Sequence, residues 1–157
     1  MGRERHDMGR EGDLGYPVRC IRTPQHLYVR NFALDRWPAG NPETNYTNCD
    51  SSPTKTRILE LHDQGKDHYW QLSFGKRPQE ELYDIEADPY CVENLAQKEE
   101  FAELKQSLWR ELQAKLHETD DPRIFGNGDI FESYEYIVDA PHSWANYLKK
   151  RWEKQRY

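Results

Sequence analysis

Residues 80–96, E-E-L-Y-D-I-E-A-D-P-Y-C-V-E-N-L-A, decide how the rest of the chain folds. Residues 82–85 of this stretch are apolar and β-leaning, so they predict a short strand that lies on a core. Asp88 and Pro89 end that strand, because proline has no N–H for a sheet ladder and a preceding aspartate can cap a helical turn. The stretch therefore predicts a strand, a sharp turn and the approach to a helix.

The longest predicted helix follows this turn. Its apolar residues recur at helical spacing from Phe101 onward: Phe101, Leu104, Leu108, Leu112 and Leu116, with Trp109 beside them. Such a stripe makes one face of the helix apolar, so the helix must pack against another element. The run E-T-D-D-P at residues 118–122 is expected to end it.

Two segments nearer the start of the chain predict a β-hairpin. Residues 16–22 and 26–32 are rich in β-branched and aromatic side chains, and Thr23-Pro24-Gln25 joins them. Arginines on both strands indicate a half-exposed or edge pair. Alternation divides the first strand into two faces, with Val18 and Cys20 on one and Arg19 and Ile21 on the other.

Two further helices are predicted from capping residues and spacing. One begins at Ser52 or Thr54, which can serve as its N-cap, and ends at Gly65. The other covers residues 143–157, where an apolar residue stands at every fourth position between basic side chains. Docking of this amphipathic helix on its own protein is the favoured interpretation, and a role at a membrane surface is the alternative.

The composition favours one domain with a small core. The chain has 157 residues, of which 36% are hydrophobic, and its mean hydropathy is -1.11. Its net charge of -6 argues against general nucleic-acid binding, which needs a basic surface. No apolar run reaches the roughly 18 residues that a membrane span needs, and no signal peptide opens the sequence.

The cysteines and histidines predict no metal site. Cys20, Cys49 and Cys91 are widely separated and form no C-x-x-C pair, which leaves one disulfide plus a free thiol as an alternative to three free thiols. His62 and His68 stand six residues apart, which is the wrong spacing for two ligands on one helix face. A small zinc-binding protein is therefore a minor hypothesis.

Residues 80–96 also resemble the C-terminal signature of the sulfatase family, E-L-Y-D-x-x-x-D-P-x-x-x-x-N-L-A. The matching residues are Glu81-Leu82-Tyr83-Asp84, Asp88-Pro89 and Asn94-Leu95-Ala96. The chain departs from the pattern at Cys91, where many members carry glutamate. Flanking segments, including Y-W-Q-x-S-F-G-K-R-P at residues 69–78, resemble the heparan N-sulfatase (sulfamidase) type in particular.

The resemblance implies an α+β fold in which a small antiparallel β-sheet of three to four strands packs against the long C-terminal helix. In that family this is the small subdomain behind the catalytic domain. It implies three parts here: residues 1–15 as an arm that ends the catalytic domain, 16–125 as the C-terminal subdomain, and 126–157 as an extension with the amphipathic helix.

Three residues are candidates for substrate binding by this resemblance. Arg5 and His6 lie in G-R-E-R-H, which is similar to a family segment running toward the small subdomain. Their alternative role is that of an exposed chain end. Trp37 lies in the loop D-R-W-P-A-G-N-P-E, and such loops often hold binding groups on a rigid scaffold. Packing of Trp37 beneath its own loop is the favoured alternative to sugar contact.

The chemistry of the resembled family requires groups that this sequence does not contain. Sulfatases use a formylglycine made from cysteine or serine in C/S-x-P/A-x-R, together with a calcium ion held by aspartates and an asparagine. None of the three cysteines stands in that motif, and S-S-P-T-K at residues 51–55 ends in lysine instead of arginine. We therefore predict no catalytic residue and no metal ligand here, and expect formylglycine and calcium only in an N-terminal catalytic part outside this sequence.

Two classes of function follow from these observations. In the first, the chain completes the substrate pocket of a sulfatase, and its partners are the sulfatase catalytic domain and a sulfated glycan. In the second, the chain is a stand-alone binding or interaction module. Its partner in that case can be a second copy of itself, which would make it a homo-oligomer. The compartment stays open, since members of the resembled family work in the periplasm, in lysosomes or outside the cell.

Overall fold

The computed structural model describes residues 1–4, 9–41, 46–47, 49–135 and 143–150. In chain order the elements are β1 (Gly2–Arg3), β2 (Val18–Arg22), β3 (His26–Asn31), β4 (Gly40–Asn41), β5 (Tyr46–Thr47), α1 (Pro53–Asp63), α2 (His68–Phe74), β6 (Glu80–Asp84), α3 (Ala102–Glu118) and α4 (Trp144–Lys150). Short 3-10 helices cover Glu11–Asp13, Glu99–Phe101 and Gly128–Glu132.

The chain divides into two compact units. One, the sheet unit, comprises Met1–Glu4, Pro17–Ala33 and Pro78–Tyr134. The other, the loop unit, comprises Arg5–Tyr16, Leu34–Arg77 and Glu135–Tyr157. The domain boundaries inferred from the sequence stay a prediction.

The sheet unit contains a four-stranded antiparallel sheet with the strand order β1-β2-β3-β6. Strands β2 and β3 form the predicted hairpin, and its three-residue loop is closed by Thr23, whose Oγ1 accepts the N–H of His26 at 2.8 Å. Strand β6 begins two residues before the strand predicted at residues 82–85 and pairs with β3 so that Val29 stands opposite Glu81. The hairpin and its partner strand are therefore confirmed.

Helix α3 supplies one side of the core of the sheet unit. Tyr28 and Leu82, from the middle strands, have no exposed surface at all. The core cluster consists of Ile21, Tyr28, Leu82, Leu95, Ala96, Leu108, Leu112 and Leu116, with Phe101, Leu104, Trp109 and Ile124 packed against it. The predicted stripe is thus the face that α3 buries, and the α+β class with a small antiparallel sheet and a long helix is confirmed.

Alternation along β2 follows the prediction. Ile21 belongs to the core that faces α3, and the buried Arg19 points the same way, since its guanidinium binds Asp121 just beyond the end of that helix. Cys20, between them, lies on the opposite face of the sheet. Helix α3 ends at Glu118, as the E-T-D-D-P run predicts.

The loop unit contains the helices that were predicted from capping signals. Ser52 is the N-cap of α1 and accepts the N–H of Lys55 at 3.1 Å. Gly65 follows the end of that helix with φ 75°, a left-handed conformation that glycine adopts without steric cost. The aromatic run before the signature, which the sequence left unassigned, forms α2 because Trp70 and Phe74 stand one turn apart and are both buried.

A C-terminal helix is confirmed over part of its predicted range, and Leu148 of its predicted apolar face is 57% exposed. Helix α4 occupies Trp144–Lys150, and the backbone N–H of Trp144 donates to the carboxylate of Asp13 at 2.9 Å. Residues 151–157 of the predicted helix lie outside the described residues. Among the residues that the structure describes, no helix has the length and apolarity to cross a membrane.

Candidate functional site

The signature begins on β6, which is an edge strand of the sheet. An edge strand leaves backbone groups unpaired on its outer side. Here Asn94 pairs them, because its Oδ1 accepts the N–H of Leu82 at 3.0 Å while its Nδ2 donates to the carbonyl of Glu80 at 3.3 Å. The N–H of Leu95 donates to the carbonyl of Leu82 at 2.7 Å. Asn94 and Leu95 thus take the place of a fifth strand.

The two aspartates of the signature shape the turn after β6. Asp84 Oδ1 accepts the N–H groups of Glu86 and Ala87, each at 3.0 Å. The hydrogen bond from Ala87 and one from the Gln25 side chain hold the pKa of Asp84 below its usual value. Asp88 Oδ2 accepts two further N–H groups later in the turn, from Val92 at 2.7 Å and Glu93 at 2.8 Å.

The remaining polar residues of the signature lie on the sheet face opposite α3. Glu81 is buried there and accepts hydrogen bonds from the side-chain amide of Asn31 at 2.7 Å and from the hydroxyl of Tyr83 at 2.5 Å. Asn31 also donates to the carbonyl of Pro78 at 2.8 Å. Both oxygens of Glu81 are therefore engaged, one by Tyr83 of the same strand and one by Asn31 of β3, and the contact with Asn31 supports the pairing of β3 with β6.

Cys91, where the chain departs from the family pattern, leaves the turn intact. Its N–H donates to the carbonyl of Asp88 at 3.1 Å, and its backbone is left-handed with φ 53°. Burial and the charges of Asp88 and Glu81 raise the pKa of the Cys91 thiol. A raised pKa lowers the thiolate fraction, so this thiol is not a poised nucleophile.

Arg5 and His6, two of the three substrate-binding candidates, lie outside the described residues. The residue before them, Glu4, is anchored by two arginines. Arg19 Nη2 lies 2.6 Å from Glu4 Oε1, and Arg123 forms a second ion pair with the same carboxylate. No local pattern in the sequence indicates this anchor, because Arg123 stands 119 positions from Glu4.

A second carboxylate completes this ionic network. Asp121 accepts a two-pronged hydrogen bond from Arg19, with Nε at 2.7 Å and Nη2 at 3.0 Å. Burial acts to raise the pKa of Asp121, but the hydrogen bonds from Arg19 and from the Arg123 N–H, with the charges of both arginines, outweigh burial and lower it. Burial acts to lower the pKa of Arg19, and hydrogen bonds and charges from Asp121 and Glu4 raise it.

Trp37, the third candidate, is half-buried in the loop unit. The ring of Trp70 meets it edge-on, with the ring centroids 5.7 Å apart and the planes at 82°. The Nζ of Lys76 lies 5.0 Å from the centroid of the Trp37 ring. Trp37 is therefore partly packed against Trp70, and the residue stays partly exposed beside a cation, so its role in substrate binding stays a prediction.

The histidines and cysteines are not assembled into a metal centre in the part of the chain that the structure describes, where no three of the His, Cys, Asp and Glu side chains meet. His62 instead contacts Asp67 Oδ1 through Nδ1 at 2.7 Å, and His68 packs edge-on against Tyr69. The three cysteines are free thiols.

The sheet unit also contains an open cavity of about 340 Å³. Its lining combines apolar side chains of α3 with one cysteine and two basic residues: Met1, Cys20, Ile21, Arg22, Leu112, Lys115, Leu116 and Thr119. No acid–base pair faces this cavity, since neither an acidic side chain nor a histidine is among its lining residues. The described residues thus offer scaffold contacts at the signature and a half-open aromatic surface at Trp37.

Comparison with known proteins points to one family. No protein-family model matches the chain. An ulvan-active sulfatase from Formosa agariphila is 30% identical over 101 residues, which make up 60% of this chain and 16% of the relative. A second ulvan-active sulfatase from the same organism is 27% identical over 101 residues, or 62% of this chain and 16% of the relative.

The chain is similar in sequence to sulfatases. The sulfatase-like region matches only 16% of the length of each relative, so most of each sulfatase has no counterpart in this sequence. This similarity to sulfatases agrees with the sulfatase signature at β6. The resemblance to the heparan N-sulfatase type rests on the sequence motifs alone.

Proposed function

We propose that this chain forms the C-terminal, non-catalytic portion of a sulfatase-like hydrolase that removes sulfate from esters or N-sulfates of sulfated glycans. The observation that carries the proposal is the match between the family signature and the hydrogen bonds of β6. Asp84, Asp88 and Asn94 each bind backbone N–H groups of the same turn and edge strand. The signature residues therefore build a scaffold, and the chemistry belongs to another part of the enzyme.

The nucleophile and metal of such an enzyme are expected outside this chain. The formylglycine motif C/S-x-P/A-x-R is not found in the 157 residues. A sulfatase calcium ion neutralises charge on the sulfate oxygens and needs several carboxylates in one place. No such cluster exists among the described residues. The catalytic domain would supply both groups, and this chain would support the wall of the substrate pocket.

The substrate is a sulfated glycan in this proposal. The two curated relatives act on ulvan by name, and the flanking motifs resemble the heparan N-sulfatase type. Arg5 and His6 are proposed to line the rim of the pocket, where cationic side chains bind sulfate through charge-assisted hydrogen bonds. The anchoring of Glu4 by Arg19 and Arg123 supports this, because it fixes the residue that directly precedes Arg5.

The test begins with the nucleotide sequence upstream of the codon for Met1. An in-frame segment that encodes a C-x-P-S-R-type motif is the expected result. The complete gene product is then assayed for sulfate release from ulvan oligosaccharides and from an N-sulfoglucosamine substrate. Release from one of the two assigns the ester or the N-sulfate specificity.

A different upstream sequence would favour the other class of function. A promoter and a ribosome-binding site directly before Met1, with no sulfatase motif in frame, would support a stand-alone binding module and contradict the proposal. A complete product with the motif that releases sulfate from neither substrate would contradict the proposed substrate class.

A further inference from the structure

We propose that Trp37 and Lys76 together form a binding subsite for a sulfated pyranose unit. The inference rests on the proposed function for the class of ligand. It extends that function because it assigns a basic residue and a binding geometry to the loop unit. The sugar ring lies along the exposed part of the Trp37 indole. One sulfate oxygen accepts a hydrogen bond from the Lys76 ammonium.

The geometry of the pair fits both halves of such a ligand. Lys76 Nζ lies over the Trp37 ring, 5.0 Å from its centroid, so a cation and an aromatic surface are in contact. Indole rings present a broad apolar face on which the C–H groups of a sugar can pack. A sulfate on that sugar then lies within reach of the ammonium, which the flexible lysine stem can re-aim.

Among the described residues, no carboxylate neutralises the charge of Lys76. The Lys76 side chain is exposed and makes no ion pair among the described residues. It contacts the ring of Trp37. The chain as a whole carries a net charge of -6, which disfavours nonspecific binding of anionic polymers. A sulfate group supplies the missing anion, and this favours a sulfated over a neutral sugar.

The indole is held in a fixed place by buried neighbours. Arg10, only 5% exposed, donates to the carbonyls of Trp37 at 3.3 Å and Pro38 at 3.4 Å and to the carbonyl of Leu14 at 2.6 Å. Trp70 supports the Trp37 ring from its edge side. A pre-formed aromatic surface loses little conformational entropy when a ligand binds.

A second layer supports Trp70 in turn. The imidazole of His62 stacks on Trp70 with the ring centroids 4.6 Å apart and the planes at 14°. His62 is itself held by Asp67, whose Oδ1 lies 2.7 Å from Nδ1. The half-buried Trp37 and the exposed Lys76 are the members of the cluster proposed to contact the ligand.

The experiment measures binding of the full 157-residue chain by isothermal titration calorimetry at low salt. Heparin, carrageenan and dextran sulfate are the sulfated probes, and unsulfated dextran is the matched neutral probe. Binding of at least one sulfated polysaccharide, with no binding of dextran, is the expected result. Failure to bind any of the three, or equal binding of dextran, would overturn the inference.

Variants separate the subsite from general charge attraction. Lys76→Gln is expected to weaken binding by about tenfold, the size of one charge-assisted hydrogen bond. Lys66→Gln removes the same charge from an exposed lysine of the same unit, which donates to Gln64, and should change binding by less than about twofold. Equal losses in the two variants would overturn the inference.

Trp37 is tested with two substitutions because the larger one could disturb the loop. Trp37→Phe keeps a smaller ring and should weaken binding less than Trp37→Ala, with thermal melting used to confirm that each variant is folded. Full affinity in a folded Trp37→Ala variant would refute the aromatic half of the subsite. Because these titrations do not need hydrolysis, loss of the subsite and failure of the sulfatase assay on the complete gene product are separate outcomes.

Discussion

The side-chain oxygen of Asn94 accepts the backbone N–H of Leu82 at 3.0 Å, twelve residues back along the chain. This contact closes the outer edge of β6 with a side chain where other sheets use a further strand. It explains why an asparagine stands at a fixed distance after the strand in the signature. Asn94 therefore supports the scaffold of the sheet unit.

The first prediction concerns this edge contact. Asn94→Ala should lower the free energy of unfolding by about 1–3 kcal/mol, because the backbone groups of Leu82 and Glu80 lose their partner. Asn94→Asp keeps the accepting oxygen and should cost less. Chemical denaturation measures both, and Gln97→Ala, an exposed neighbour, should stay within about 0.5 kcal/mol of the parent. A cost for Asn94→Ala as small as that of the control would show that the contact does not hold the edge.

The second prediction concerns acid stability. The pKa of Asp121 is lower in the folded chain than its ordinary value, so its contribution to stability is present above about pH 4 and is lost as the pH falls through the folded pKa. Asp121→Asn should therefore destabilise the protein by about 1–3 kcal/mol near pH 7. The difference from the parent should shrink below pH 4.

Denaturation measured from pH 7 down to pH 2 tests this sign. A difference between parent and variant that stays constant over the whole range would contradict the assignment, because it would mean that the carboxylate charge of Asp121 does not stabilise the network with Arg19.

The third prediction concerns the left-handed backbone at Cys91. A side chain in this conformation costs about 1–2 kcal/mol, which glycine avoids, although glycine gains entropy in the unfolded chain. Cys91→Gly should therefore leave the melting temperature equal or raised. Cys91→Val should lower it, since a β-branched residue tolerates positive φ poorly. Differential scanning calorimetry compares them, and a more stable Val variant would contradict the turn geometry.

The fourth prediction concerns the packing of α3. Leu112, only 3% exposed, lies in the core, so Leu112→Ala should cost about 2–5 kcal/mol through lost burial and a cavity. Glu111→Ala, on the exposed side of the same turn, should change stability by at most about 0.5 kcal/mol. Similar effects of the two changes in urea titrations would show that this face of the helix is not the buried one.

The hairpin, the turn and α3 could be predicted because their signals are local. Alternation sets the faces of β2 over a few residues, and the leucine stripe sets the buried face of α3 over five turns. The aromatic run at α2 could not be assigned from the sequence. A segment of seven residues rich in aromatic side chains is compatible with both a helix and a strand.

The ionic network and the Trp37 cluster could not be predicted because they join distant parts of the chain. Arg19 and Asp121 are 102 positions apart, and nothing in either segment identifies the other. Lys76 is one of two adjacent basic residues, and such a pair does not by itself indicate a binding site. Its position against Trp37 depends on how the loop of residues 34–41 folds, which its proline and glycine content does not determine.

The most direct measurement is sulfate release by the purified 157-residue chain alone, from an aryl sulfate and from an N-sulfoglucosamine substrate, with and without added calcium. No release above the buffer blank is expected under any of these conditions, because the proposed function assigns the reacting groups to a separate catalytic domain. Turnover by this chain would contradict it, since a nucleophile for sulfur would then have to lie among these residues.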